Sequence, residues 1–293
     1  MLFGRISATR YAEERYPSLP PPARGTQGFP WNRFDNPAVS WIAAYTRVFS
    51  AATVNDFRAS LARLDVQVSP FAQDWLAPDY GILIPRAHDR AAGLPRFQFG
   101  GAYGFTALGS SLWAPTRKLG QNWQLKDTLV WNHGAHTTKI GADLRFTRVK
   151  NFSAQLGSGE FQHNGRFTGV GLADFLLGWT SQFRQTSFQQ VDGRFESYMF
   201  FVQHNWRASP KLTVELGLRY ELTSPLRDRN DRMSKFLIAP GPGRGTFVLA
   251  GERGDSWSDR ALVETDANNW APRAGLAYQL GRRLTFRAGA GLF

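Results

Sequence analysis

The chain has 293 residues, a formal net charge of +12 and no cysteine, which excludes disulfides and thiolate metal sites. No apolar run reaches the roughly 18 residues of a spanning helix, although spanning strands stay open because alternation averages to polar. The Lys and Arg residues are scattered rather than blocked and no RNA-binding signature is present, so no nucleic acid is expected as a partner.

Taken in chain order, the first element is a strand, "LFGRISATRY", within "MLFGRISATRYAEERYPSLP". That opening lacks the basic start, apolar core and small-residue cleavage site of a secretory signal; for an exported protein the expectation is a true N-terminus further upstream. "VSWIAAYTRVFS" and "TVNDFRASLARLDVQV" form a weaker strand pair. "NWQLKDTLVW" sets Trp123, Leu125, Leu129 and Trp131 against Asn122, Gln124, Lys126 and Thr128, with Asp127 breaking the apolar face. "TTKIGADLRFT" sets Ile140, Ala142, Leu144 and Phe146 against Lys139, Gly141, Asp143 and Arg145.

"SYMFFVQHNW" carries Tyr198, Phe200, Val202 and Trp206 on one face, with Ser197, Gln203 and Asn205 on the other. "KLTVELGLRY" is the clearest case: Leu212, Val214, Leu216, Leu218 and Tyr220 alternate with Thr213, Glu215, Gly217 and Arg219. "WAPRAGLAYQL" and "LTFRAGAGLF" repeat the device up to Phe293. Each strand reads as about ten residues, enough to cross a bilayer when tilted.

Tight turns fall near 50–53, 133–136, 207–210 and 281–283, and long polar stretches cover 12–38, 69–120, 153–196 and 223–269. Short and long connections therefore alternate. In a meander this puts every short turn at one end and every long loop at the other, as in outer-membrane barrels. The fold expected is all-β: a partial antiparallel transmembrane β-barrel over 1–293, with short periplasmic turns and long extracellular loops in the outer membrane of a Gram-negative bacterium. The apolar faces then meet lipid. Trp131, Tyr198, Trp206, Tyr220, Trp270 and Tyr278 are the expected membrane-interface aromatics. Lys126, Lys139, Asp143, Arg145, Glu215, Arg219, Glu221, Arg273 and Arg287 are the expected lumen-facing residues.

These residues also carry a resemblance. "GRFTGVGLADFLLG" (165–178), "FFVQHNWRASPKLTVELGLRYELTSPL" (200–226) and "NNWAPRAGLAYQLGRRLTFRAGAGLF" (268–293) resemble the barrel of Oar-like TonB-dependent outer-membrane receptors. The second segment is the most specific, with Gln203, Trp206, Pro210 and "LGLRYE" in order; "QLKDTLVWNHGAHTTKIGADLRF" and "YTRVFSAATVNDFRASLARL" are similar more loosely. His204 and Asn205 stand where the family usually has acidic residues. The resemblance implies uptake of a large or scarce substrate, bound by extracellular loops and a plug and driven through TonB, in a plugged barrel of about 22 strands. No carboxypeptidase-regulatory-like domain, plug or TonB-contacting box is recognisable. The expectation is therefore an internal piece of a longer reading frame that neither transports nor closes a pore by itself.

Chemistry-bearing motifs are absent from the sequence. His133 and His136, two of five histidines, sit three apart in a turn without a carboxylate cluster, so they read as solvated turn residues and no metal is expected. "GPGRG" (241–245) lacks the strand-then-helix setting of a phosphate loop. No catalytic residue and no cofactor is expected. "LADFLLGW" (172–179) has helical spacing at Leu172, Phe175, Leu176 and Trp179, and reads as a loop element over the barrel wall or a ligand contact. Loop arginines suit an anionic extracellular ligand or lipopolysaccharide phosphates. Two other classes compete with transport: a surface or adhesion barrel, and a soluble carbohydrate-binding β-sandwich.

Overall fold

The computed structural model describes residues 1–15, 32–70, 76–89, 91, 93–100, 107–109, 114–238 and 244–292. Parts of the first two long stretches, residues 241–243 of "GPGRG" and Phe293 lie outside the described residues.

The strands are β1 (Leu2–Arg15), β2 (Asn32–Ser50), β3 (Thr53–Pro70), β4 (Arg96–Phe99), β5 (Thr116–His133), β6 (His136–Ser153), β7 (Glu160–His163), β8 (Gln182–Arg184), β9 (Gln189–Ser209), β10 (Leu212–Thr223), β11 (Arg227–Asp228), β12 (Ser234–Ile238), β13 (Gly245–Leu249), β14 (Asn269–Gln279) and β15 (Thr285–Gly291). Two short helices, α1 (Gly171–Leu176) and α2 (Trp257–Ala261), lie in the third and fourth long connections. No described helix is long and apolar enough to cross a membrane.

The wall is one 10-stranded sheet in the order β1-β2-β3-β5-β6-β9-β10-β14-β15, with β11 pairing on β9. Neighbours along this path are antiparallel throughout. Pairs β2–β3, β5–β6, β9–β10 and β14–β15 are the four hairpins that the turn pattern predicts. At the β5–β6 turn Gly134 takes a φ of 57°, which glycine adopts without a Cβ clash. β1 and β15 are the two ends of the path, and no pairing among the described residues joins them. The sheet is open, as expected.

Strand length differs from the sequence reading. β5 and β6 have 18 residues each and β9 has 21, rather than about ten. The extra residues are polar on both sides, such as Arg117, Lys118, Gln121 and Asn122 in β5. Hydrogen-bonded pairing continues there after the hydrophobic alternation has ended, so periodicity marks only the apolar belt.

The connections also hold more structure than expected. β4 pairs parallel to β7, and β7 antiparallel to β8, in a small separate sheet. Helix α1 packs on β4 and β7 rather than on the barrel wall. β12 and β13 form a further hairpin.

The described buried apolar side chains are Ala77, Ala91, Phe99, Ala114, Phe152, Ala154, Val248, Ala250 and Ala261, which sit in the connections or at the outer end of β6. Among the described residues no protein core lies against the middle of the wall. Ile140 is 52% exposed, Trp131 49% and Leu216 51%, on a face where a soluble sheet would be covered.

Candidate functional site

The register places side chains on one face or the other without ambiguity, since residues directly opposite share a face. On β10, Thr213, Glu215, Gly217, Arg219 and Glu221 stand opposite Arg207, Asn205, Gln203, Phe201 and Met199 of β9. Lys139, Asp143 and Arg145 of β6 continue that face through Gln203, Met199 and Ser197. Lys126 opposes Asp143, Arg273 opposes Gly217, and Arg287 opposes Ala277. All nine residues named from sequence for the polar side therefore share one face. Trp131, Tyr198, Trp206, Tyr220, Trp270 and Tyr278 share the other.

The polar face is bridged from strand to strand. Asp143 accepts from Gln124 Nε2 at 2.8 and 2.9 Å and from Arg145 Nη2 at 3.1 Å. Gln203 donates to Glu215 and accepts from Arg273 Nη2 at 2.9 Å, tying β9, β10 and β14 together. Arg219 pairs with Glu221 at 3.0 Å. Asp56 accepts from Thr46 Oγ1 at 2.8 Å and Arg58 Nε at 2.7 Å on the same face of β2 and β3. Lys126, Lys139 and Arg287 share the face without joining these bridges. Sequence reasoning missed Gln124, Gln203, Asp56 and Arg58 as bridging groups. Their strand parity was the available signal, but the partner across the ladder follows only from register.

The apolar face has a row of aromatics. Trp41 and Trp123 meet edge-on at 5.6 Å and Phe146 and Tyr198 edge-on at 6.1 Å, while Tyr220 and Trp270 are tilted at 4.5 Å. Trp206 stacks on His136 at 5.8 Å near the short-turn end. His136 Nδ1 lies 3.1 Å from His204 Nε2, and Thr138 Oγ1 lies 2.9 Å from His204 Nδ1. The turn histidines are thus only partly the solvated pair that their spacing suggests. His136 is held by a third histidine from β9, which no local pattern reveals. Among the described residues no group of three or more His, Cys, Asp or Glu is arranged to hold a metal ion.

Asp127, the polar break on the apolar face, has a partner. Asn55 Nδ2 donates to it at 2.8 Å from β3.

The connection between β6 and β9 is built around two buried carboxylates. Glu160 is fully buried, with Arg184 Nε at 2.7 Å and Arg96 at 3.3 Å. Asp174 of α1 accepts from Thr168 Oγ1 at 2.7 Å and from the Thr168 amide at 2.9 Å. Burial pushes its pKa upward, but the Thr168 hydroxyl and the backbone amides outweigh burial and hold it below the usual carboxylate value. The predicted short helix at "LADFLLGW" is real. Phe175 packs against Phe97, Phe99 and His163, while Leu176, Leu177 and Trp179 stay exposed with Phe167.

On the same connection end, Asp228 is almost wholly buried under β9. Burial raises its pKa, but Arg232 and the amides of Asp192, Asn230 and Arg232 lower it further, to about 2.

An open antiparallel meander with one uncovered apolar face, one ion-paired face and all tight turns at one end is the wall of an outer-membrane barrel. The model for the outer membrane beta barrel domain matches residues 1–293, and the chain belongs to that family. It is an outer-membrane protein of the Gram-negative type. Among solved structures, the copper transporter OprC is 12% identical, with a TM-score of 0.43, covering 99% of this chain and 34% of that one. The outer membrane transporter YddB from Escherichia coli is 10% identical, with a TM-score of 0.40, covering 98% and 37%. The open form of the ferric-catecholate import receptor Fiu from E. coli K12 is 9% identical, with a TM-score of 0.38, covering 91% and 36%. The chain spans about a third of the length of these structures. No curated protein matches it.

Proposed function

We propose that the chain is part of the wall of a TonB-dependent outer-membrane receptor that imports a substrate, and that it carries out no catalysis. The observation that carries the reading is the pairing of an uncovered apolar face with an ion-paired polar face on one meander. The apolar face meets lipid, including lipopolysaccharide, with Trp131, Tyr198, Trp206, Tyr220, Trp270 and Tyr278 at the interfaces. The polar face lines the lumen, where Lys126, Lys139, Asp143, Arg145, Glu215, Arg219, Glu221, Arg273 and Arg287 meet water, a plug or a passing substrate. The structured long connections form the extracellular end, where an unidentified ligand binds. The TonB complex is the energy-coupling partner that this reading implies. The Oar-like segments, most of all 200–226, support the transport class over an adhesion barrel.

Deletion of the gene from its host tests this. Accumulation of a panel of chelated metals and oligosaccharides is measured in wild-type and deleted cells, with and without an uncoupler. Transport predicts at least one compound whose uptake needs both the gene and the proton gradient. Loss of surface attachment with unchanged uptake would favour the adhesion reading.

A further inference from the structure

At its tight-turn end the apolar face carries histidines from three adjacent strands. His133 of β5 stands opposite His136 of β6, His136 stands opposite Trp206 of β9, and His204 of β9 stands opposite Thr138 of β6. Residues opposite one another share a face, so all three rings project from the same side of the wall. The close contact among them runs from β6 to β9. His136 Nδ1 and His204 Nε2 are 3.1 Å apart. Each ring is also held by a second neighbour. The Trp206 ring lies nearly parallel to that of His136, at 5.8 Å and 8°. Thr138 Oγ1 is 2.9 Å from His204 Nδ1. A hydrogen bond from Nδ1–H to that hydroxyl leaves His204 Nε2 as a lone pair directed at His136.

Two nitrogens bound to one metal ion at about 2.0–2.1 Å lie about 2.9–3.4 Å apart, as the angle at the metal opens from square to tetrahedral. The His136–His204 separation falls inside that range. Charge does not oppose an ion here. Lys139 and Arg207, the cations nearest along β6 and β9, stand opposite Gln203 and Thr213 on the polar face. We propose that His136 and His204 bind one divalent first-row transition ion, of the Zn²⁺ or Cu²⁺ class, which clips β6 to β9. Imidazole nitrogen suits these ions, whereas Mg²⁺ and Ca²⁺ take oxygen ligands. Without metal, one proton lies between the two nitrogens; the ion takes both lone pairs and that proton leaves to solvent. Two protein nitrogens are fewer than the three or four of enzymatic and structural zinc sites, so water fills the remaining positions. Water reaches the site from the turn, where His133 is exposed.

The test uses the full gene product, extracted from outer membranes in detergent, without a polyhistidine tag and stripped of metal by a chelator. Zn²⁺ is titrated by calorimetry into wild type, His136→Gln, His204→Gln and His133→Gln, and Mg²⁺ into wild type. The site predicts one Zn²⁺ equivalent whose affinity falls about tenfold or more in both His136→Gln and His204→Gln. His133→Gln keeps the wild-type affinity, and Mg²⁺ does not compete. Electron paramagnetic resonance of wild type loaded with one Cu²⁺ needs no variant to fold, and two coupled imidazole nitrogens are predicted. Absence of Zn²⁺ binding by wild type, binding that survives either Gln substitution, a loss in His133→Gln as large as in His136→Gln, or a single coupled nitrogen would each overturn the site.

Discussion

Asn55 of β3 and Asp127 of β5 are joined by a 2.8 Å hydrogen bond on the otherwise apolar face, midway along β5 between Trp123 and Trp131. Asn55 also reaches the Thr128 carbonyl at 3.3 Å. A carboxyl group facing hydrocarbon is costly unless its lone pairs are used. Asn55→Leu is therefore expected to destabilise the wall by about 1–3 kcal/mol, because Asp127 loses its donor. The double variant Asn55→Leu/Asp127→Leu is expected to recover most of that loss. Urea unfolding in lipid, read by the shift between folded and unfolded bands on a gel, measures both. A double variant worse than the single one would contradict the account.

Leu216 and Glu215 are neighbours in β10 on opposite faces. Leu216→Arg is expected to cost about 2–4 kcal/mol if it lies near the bilayer midplane. Glu215→Gln keeps an acceptor for Gln203 in a hydrated setting and is expected to cost under about 1 kcal/mol. The same unfolding measurement compares them, and equal penalties would count against the assignment of faces.

The belt was legible from β10 because Leu212, Val214, Leu216 and Leu218 alternate without a break. The same rule was silent at Arg117, Lys118, Gln121 and Asn122, where both sides of the strand are polar and only pairing to β3 and β6 defines them. Asp127 could not be explained locally, because its partner lies 72 residues away on another strand. The sequence reading did not single out Glu160 or Asp174; Glu160 is buried against Arg96 and Arg184, which lie far from it along the chain, while Asp174 is held locally by Thr168.

The pH dependence of the outer end follows from Asp228. Its folded pKa, about 2, lies below the ordinary carboxylate value of 3.8, so its contribution is complete above about pH 4 and is lost as pH falls toward 2. The contribution amounts to about 2 kcal/mol. Asp228→Asn is expected to lower stability near pH 6 by about that much, and the gap to wild type is expected to close by pH 2. Unfolding midpoints of the two proteins across that range provide the check; a gap independent of pH would refute the assignment.

Asp174 holds the turn before α1 through the amides of Phe167 and Thr168. Asp174→Ala is expected to speed hydrogen exchange at those two amides by about tenfold, while amides in the middle of β6 and β9 keep their rates. Unchanged exchange at Thr168 would show that the connection is held by other contacts.

The central claim is that one face of this meander lies in lipid and the other does not. Single cysteines placed from Leu212 to Arg219 in the full gene product, labelled with a fluorophore and reconstituted in bilayers, test it by quenching from nitroxide-bearing acyl chains. Quenching is predicted at Leu212, Val214, Leu216 and Leu218 and weak at Thr213, Glu215, Gly217 and Arg219, a period of two along the strand. Uniform quenching, or quenching strongest at Glu215 and Arg219, would contradict the account.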